Sequence, residues 1–385
     1  MRIISVSEKP YLLLSYLQEI APLTKTDRAR IFYLDEPSQS EAERTSDLEE
    51  KLKRIVAHNP SASDFIVLDR STEVGWISTK RAATIAEFCR AHDIPISQFV
   101  YASQDRNAPA RLAEAFAKVG SAPPRWIWFH HYLADLEAAH SASTLGTHDF
   151  QDLYGADPRF LFLNNKVRPH RLAAASYVLS KPALADRAIM SFNVDRTKLF
   201  DIESASEEVR RLLPSFAAAV EAEKANLEQI EPIIETGGLL RFLPAKALSR
   251  SLLCLVAESD FSGTKRFTEK SVKPIIFHRP FLVVGSVGTL AEIRDMGFIT
   301  FAELINEAYD NEPHPDRRLM MVMKELHNIL EWTSAPKGRR YFLDAVRPRL
   351  VANQLHFQNA IKRTMVERLR GDLKSVISAT AHFGA

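Results

Sequence analysis

Cysteine is nearly absent from this chain. The two present, Cys89 and Cys254, both lie in apolar surroundings, which excludes a disulfide framework and a zinc-binding cysteine pattern and fits a reducing, cytoplasmic setting. No stretch of about 18 consecutive apolar residues occurs. The N-terminus MRIISVSEKPYLLLSYL has neither a long uncharged apolar region nor a small-residue cleavage site, so the sequence predicts no membrane span and no export. Neither sign of charge dominates: 50 basic against 48 acidic residues leave a net charge of +2, which argues against a protein built mainly to coat nucleic acid. Also missing are the Gly-x-Gly-x-x-Gly and Walker patterns, and with them an ordinary dinucleotide or P-loop site. No internal repeat or low-complexity tract stands out.

What is present is enough chain for two domains. The sequence has 385 residues, 46% of them hydrophobic and 25% charged, the balance of a globular protein with a large core. Short β-branched and aromatic runs at Arg2–Val6, Ala29–Leu34, Asp64–Leu68, Gln98–Ala102 and Arg125–Phe129 alternate with helical patterns at Leu12–Ile20, Glu41–Ala57, Lys80–His92 and Pro109–Lys118. That alternation predicts a parallel sheet covered on both faces, an α/β domain. From about Ala138 to Asp157 the periodicity is lost and Ser, Thr, Gly and Asp collect, which marks a linker. A second alternation follows, with strands at Phe160–Leu163 and Ala188–Phe192, a helix at Pro169–Leu179 and a long polar helical region from Ser206 to Ile234. The last third, from Phe301, reads as mostly helical, with one break at Tyr309–Pro315.

The most informative stretch is Leu252–Gly285, LLCLVAESDFSGTKRFTEKSVKPIIFHRPFLVVG. Two apolar runs, Leu252–Val256 and Pro280–Gly285, read as buried strands. Between them Thr268 is placed to cap a helix whose first turn holds Glu269 and Lys270 and whose apolar face is Val272, Ile275 and Ile276. A helix N-terminus beside a lysine is a natural anion site.

Ala257-Glu258-Ser259 followed by Arg266-Phe267-Thr268-Glu269-Lys270 resembles the donor motif of the α-1,3-fucosyltransferase-like glycosyltransferases, in which a strand ending in Glu-Asn leads to Tyr-x-Thr-Glu-Lys and a helix. Leu161–Arg171, LFLNNKVRPHR, resembles the same family's strand, Asn-containing turn and basic helix start. Together these segments cover about a third of the chain, and the order of the motifs carries the resemblance. It implies a GT-B fold of two Rossmann-like domains with a helical C-terminal region. The expected divisions are 1–145 on the acceptor side, 158–345 binding the donor, and 346–385 as helices packing back across the cleft. It also implies an inverting transferase that takes a sugar from a nucleotide-sugar donor, GDP-fucose being one candidate, to a hydroxyl on a glycan or other acceptor. Arg171 falls on the family's diphosphate-binding arginine, with Arg168 a close rival. Lys270 and the carboxylate of Glu269 match the motif directly, and Glu258 ends the strand. Ser259 stands in place of the family's Asn and Arg266 in place of its Tyr, both at the donor end. The Asp-x-Asp motif with which other glycosyltransferases hold a metal is absent, so no obligatory metal is expected.

An inverting transfer needs a general base, and the resemblance puts it in the N-terminal domain. Glu73 follows the strand Asp64–Leu68, and strand carboxyl ends open onto ligand crevices in such sheets; Asp69 and Glu36 are reached by the same argument. His130 and His131, read as the end of a strand, would point to opposite faces and so would not share a metal. Two other readings remain open at this level. One has DNA as acceptor, on the basic residues Arg347, Arg349, Lys362, Arg363, Arg368, Arg370 and Lys374; the other is a non-catalytic binding protein on the same fold.

Overall fold

The computed structural model describes residues 2–7, 12–20, 30–35, 41–72, 77–140, 153–154, 157–192, 202–230 and 245–381. The chain divides into two compact units, Met1–Asp135 with Lys362–Ala385, and Leu136–Ile361. The architecture is α/β, with one parallel sheet in each unit and a helical C-terminal region.

In the first unit β1 (Arg2–Ser5), β2 (Arg30–Asp35), β3 (Phe65–Asp69), β4 (Phe99–Ser103) and β5 (Arg125–Trp128) pair in sequential order, all parallel. The helices between them are α1 (Leu12–Ile20), α2 (Glu41–Val56), α3 (Thr79–Ala91) and α4 (Ala108–Ala117). Side chains alternate across a strand. Phe32 and Leu34, Ile66 and Leu68, and Phe99 and Tyr101 therefore share one face, where they pack with Leu48, Leu52 and Ile55 of α2, Ile85 and Phe88 of α3, and Leu112 and Phe116 of α4. Tyr33 and Asp69 alternate onto the other face, where they meet. After β5 the chain enters α5 (His131–His140). His130 and His131 thus lie beyond the strand, not on it, and both are buried. Helix α5 also takes in the first residues of the expected linker, of which 141–152 and 155–156 lie outside the described residues.

The second unit holds β6 (Phe160–Asn164), β7 (Ala188–Phe192), β8 (Leu253–Ala257) and β9 (Phe281–Val284) in the order β7-β6-β8-β9, again all parallel. Its helices are α6 (Pro169–Leu179), α7 (Pro182–Ala185), α8 (Ile202–Leu212), α9 (Ala217–Glu228), α10 (Ala245–Ser249), α11 (Glu269–Ile276), α12 (Thr289–Asp295), α13 (Pro315–Ser334) and α14 (Pro336–Asn359). The long helical region expected from Ser206 is two helices, because Pro214 lacks the N–H that would continue α8. Helix α13 runs the length of the sheet. Near its start Arg318 donates to the Gly285 carbonyl beyond β9, and near its end Leu330 and Ser334 accept from Arg187, which precedes β7. The last helix, α15 (Ile361–Ala381), belongs almost wholly to the first unit. Asp372 accepts from the Trp128 amide at 2.9 Å, Arg368 lies over the Trp128 ring and Lys362 reaches Glu19 at 3.6 Å. Among the described residues, no helix is long and apolar enough to cross a membrane.

Candidate functional site

In the second sheet the chain leaves the carboxyl end of β6 toward β7 on one side and that of β8 toward β9 on the other. Between such ends no connection covers the sheet, and open α/β sheets bind ligands there. The two loops at this point are 165–168, leading into α6, and 258–268, leading into α11. They carry Arg168, Glu258, Ser259 and Arg266 of the sequence-predicted positions, with Arg171 in the first turn of α6 and Glu269 and Lys270 in that of α11.

Glu258 fixes the geometry. Its buried carboxylate accepts from the Thr268 amide at 3.0 Å, the Thr268 hydroxyl at 2.5 Å, the Ser271 hydroxyl at 2.6 Å and the Ser259 amide at 3.3 Å. The carboxylate thus fastens the end of β8 to the first turn of α11, joining two segments ten residues apart. Thr268, extended at φ −129° and ψ −172°, caps the helix by accepting from the Lys270 amide. A short polar residue before the Glu-Lys pair does this well, because its hydroxyl replaces a partner the first turn lacks.

Lys270 is consequently held rather than free. Its Nζ lies 2.6 Å from Glu269 Oε1, 3.2 Å from Ser259 Oγ and 3.3 Å from Thr268 Oγ1, with the side chain 26% exposed. Serine in place of the family's asparagine still supplies an oxygen to the lysine. Glu269 is nine-tenths buried, and burial alone would push its pKa up; Lys270 and Lys273 more than offset this and bring it down to about 2. Burial lowers Lys273 to about 8 despite Glu269. Lys273 was not singled out from the sequence, although its spacing of four from Glu269 on a helix is the signal that places both on one face.

Arg171 is also buried, and its guanidinium donates to the carbonyl oxygens of Lys166 at 3.3 Å, Ala257 at 3.2 Å and Glu258 at 2.9 Å. Desolvation, then Arg168, pulls its pKa down to about 10. His170 shares the Glu258 carbonyl at 2.9 Å, is forced down to about 3 by burial and by Arg171, and so is neutral. Its ring stacks on Phe261 at 5.1 Å, and Arg318 lies over the same Phe261 ring at 4.4 Å. Arg168, half-buried, stands at the N-cap position of α6 in an extended conformation, without a side-chain capping hydrogen bond. Arg266 is engaged by Asp260, with Nε at 2.8 Å and a second nitrogen at 2.7 Å from one carboxylate oxygen. Asn164 is buried at the end of β6, and neither atom of its side-chain amide has a hydrogen-bond partner among the described residues. Nothing in local sequence marks Phe261 or Arg318, which are brought together by the return of α13.

The other helix start on this edge is already filled. After β9, Gly288 takes φ +79° and Asp310 folds back onto the turn: its carboxylate accepts from the Leu290 and Ala291 amides at 2.9 and 3.1 Å, and its carbonyl from the Gly288 amide at 2.8 Å. The donors that would greet an anion at α12 are spent on the chain's own carboxylate.

In the first unit the structure places one of the three candidate bases. Asp69 is fully buried at the end of β3, accepting from Tyr33 Oη at 2.7 Å and from the Ser71 amide and hydroxyl at 2.9 and 2.6 Å; burial raises its pKa. Glu36 and Glu73 lie outside the described residues. Among the described residues no group of three or more His, Cys, Asp or Glu is placed to hold a metal ion.

No protein-family model matches the sequence, so none supports the fucosyltransferase resemblance, and no curated protein matches it. Similar solved structures exist. The N-terminal domain of Candida albicans trehalose-6-phosphate phosphatase aligns over 94% of this chain and 75% of that one, at 12% identity and a TM-score of 0.48. The α,α-trehalose 6-phosphate synthase of Burkholderia multivorans aligns over 97% and 77%, at 13% identity and a TM-score of 0.40. A trehalose-6-phosphate synthase described as OtsA aligns over 96% and 76%, at 12% identity and a TM-score of 0.44. Likeness at these scores carries no argument about substrate or chemistry.

Proposed function

We propose that this chain is an inverting glycosyltransferase of GT-B type that moves a sugar from a nucleotide-sugar donor to a hydroxyl of a glycan or other acceptor. One observation carries the reading: the residues of the Glu-Ser…Thr-Glu-Lys motif converge at the reversal point of the second sheet, where Glu258 fastens α11 in place and Lys270 keeps a partly exposed ammonium beside its N-terminus. Transfer from a nucleoside diphosphate develops negative charge on the leaving phosphate, and a fixed cation at a helix start stabilises it. Lys270 is assigned to the diphosphate, with Arg168 and Lys273 beside it. Glu269 is assigned to donor hydroxyls or to oxocarbenium-like charge, and Arg171 to holding the loop carbonyls of that wall. GDP-fucose remains the first donor to test, on the strength of the sequence motif. Glu73 is proposed as the general base.

The test is a thermal-shift screen against GDP-, UDP-, ADP- and dTDP-sugars, since a ligand that binds only the folded state raises its stability. One of the four classes is expected to stabilise the protein, and Lys270→Ala to remove the effect. No shift with any class would sink the proposal. Glu73→Gln should then keep donor affinity while lowering turnover roughly 10²–10⁴-fold, the scale of acid–base assistance; near-normal turnover moves the assignment to Glu36. A DNA acceptor is disfavoured by the engagement of Arg349 with Glu303, of Lys362 with Glu19 and of Arg368 with Trp128.

A further inference from the structure

Among the described residues, two aromatic side chains belong to the large apolar groups left exposed, Trp332 at 38% and Tyr341 at 62%, and they touch each other with ring centroids 5.8 Å apart. They stand in the last turn of α13 and the second turn of α14, on either side of the bend at Ala335. That bend is built around Trp332. Its ring packs edge-on against buried Phe342 at 5.7 Å and 80°. Gly338 closes over it so tightly that a Cβ there would lie 2.2 Å from the Trp332 carbonyl oxygen and 3.0 Å from Cδ1. Arg187 donates to Leu330 O and Ser334 Oγ, and Arg339 to the carbonyls of Thr333 and Ser334, so the backbone is held on both sides of the indole. A rigid aromatic surface loses little conformational freedom when covered, which is what makes Trp and Tyr good anchors.

The rim around the pair is polar. Asp344, one turn beyond Tyr341, accepts from Tyr154 Oη at 2.6 Å and lies 3.8 Å from Arg340; Lys337, one turn before, is exposed. An apolar protein segment laid here would desolvate these groups without pairing them. A sugar ring presents a C–H face that lies flat on an aromatic ring and hydroxyls at its edge that pair with a carboxylate, a guanidinium and a phenol. We propose that Trp332 and Tyr341 form a platform for an oligosaccharide chain, at the opposite end of the second sheet from the diphosphate site. Helix α13 begins beside the Gly285 and Phe261 carbonyls at the sheet's carboxyl edge and ends beside Arg187 at its amino edge, about 30 Å for 20 residues. The platform's role, holding a chain acceptor or product, rests on the glycosyltransferase reading; the binding itself does not.

The test titrates maltohexaose, chitohexaose and a hyaluronan hexasaccharide into the full chain, followed by calorimetry and tryptophan emission, with the nucleotide thermal shift read on the same samples. At least one hexasaccharide is expected to bind where glucose does not. Tyr341→Ala should weaken that binding at least about fivefold and Trp332→Phe should remove the emission change, with the nucleotide shift intact in both. Failure of all three sugars to bind, or binding that both variants retain, overturns the platform. Self-association lost in Tyr341→Ala with no sugar bound also overturns it, in favour of a contact between copies. Loss of the nucleotide shift with sugar binding kept counts against the donor site alone.

Discussion

The carboxyl edges of the two sheets receive similar residues and put them to different use. In the first unit the strands follow one another in order, and Asp69, Arg70, Ser103 and Asp105 at their ends are wholly buried. In the second the order reverses between β6 and β8, and the edge keeps Arg168, Ser259 and Lys270 partly open to solvent. A carboxylate sits at each: Asp69 turned under its sheet to Tyr33 and Ser71, Glu258 fastening a loop that carries cations. Strand order leaves an uncovered point between β6 and β8, and among the described residues a carboxylate is packed beneath the first sheet but serves as site scaffold at the second.

The largest expected effect is at Glu258. Glu258→Ala leaves three buried donors without their acceptor and should cost about 3 kcal/mol or more in urea denaturation, with loss of nucleotide binding; wild-type behaviour in both would remove the distinction between the edges. Arg171→Ala should follow at about 2–3 kcal/mol, since three backbone carbonyls lose a charged donor. An arginine acting only on phosphate would leave the denaturation midpoint unchanged. Lys270→Ala should weaken nucleotide-diphosphate binding by roughly 10- to 100-fold, for a charge-assisted contact of about 1.5–3 kcal/mol, and lower the midpoint less than Arg171→Ala does, since Lys273 still faces the buried Glu269 carboxylate.

Asp69→Asn should cost only about 1–2 kcal/mol, because burial already raises this carboxyl's pKa and the amide keeps one acceptor; a change in nucleotide binding would contradict its placement under the first sheet. The smallest effect is with pH. Lys273 loses its proton near pH 8, so nucleotide-diphosphate affinity should fall a few-fold as pH rises from about 7 to 9 and stay flat in Lys273→Met. Its folded pKa lies below the ordinary 10.5, the unfolded chain binds more protons between those values, and its contribution to stability therefore rises with pH across that window.

Most elements were legible in the sequence, because each rests on local periodicity. Leu12–Ile20 and Pro169–Leu179 are helices with the expected bounds, and Thr268 caps α11 as its hydroxyl and the following Glu-Lys predict. The misreadings were also local. Pro214 divides a helix that composition alone would continue, and His130 and His131 lie past the end of a strand that their aromatic neighbours would prolong.

The site divides the same way. The sequence by itself determined the motif, the helix it caps and the alternation that makes two parallel sheets, all set by contacts within a few residues. Tertiary structure alone decided that β6 and β8 lie side by side with their exits diverging, and that Glu258 spends its carboxylate on Thr268 and Ser271. It also turned Arg171 inward to carbonyls, paired Arg266 with Asp260, and brought Arg318 from 57 residues away to the Phe261 loop. The physical reason is that a charged side chain's partner is whichever group the packed backbone brings within hydrogen-bond reach once water is excluded. Spacing along the chain does not encode that choice.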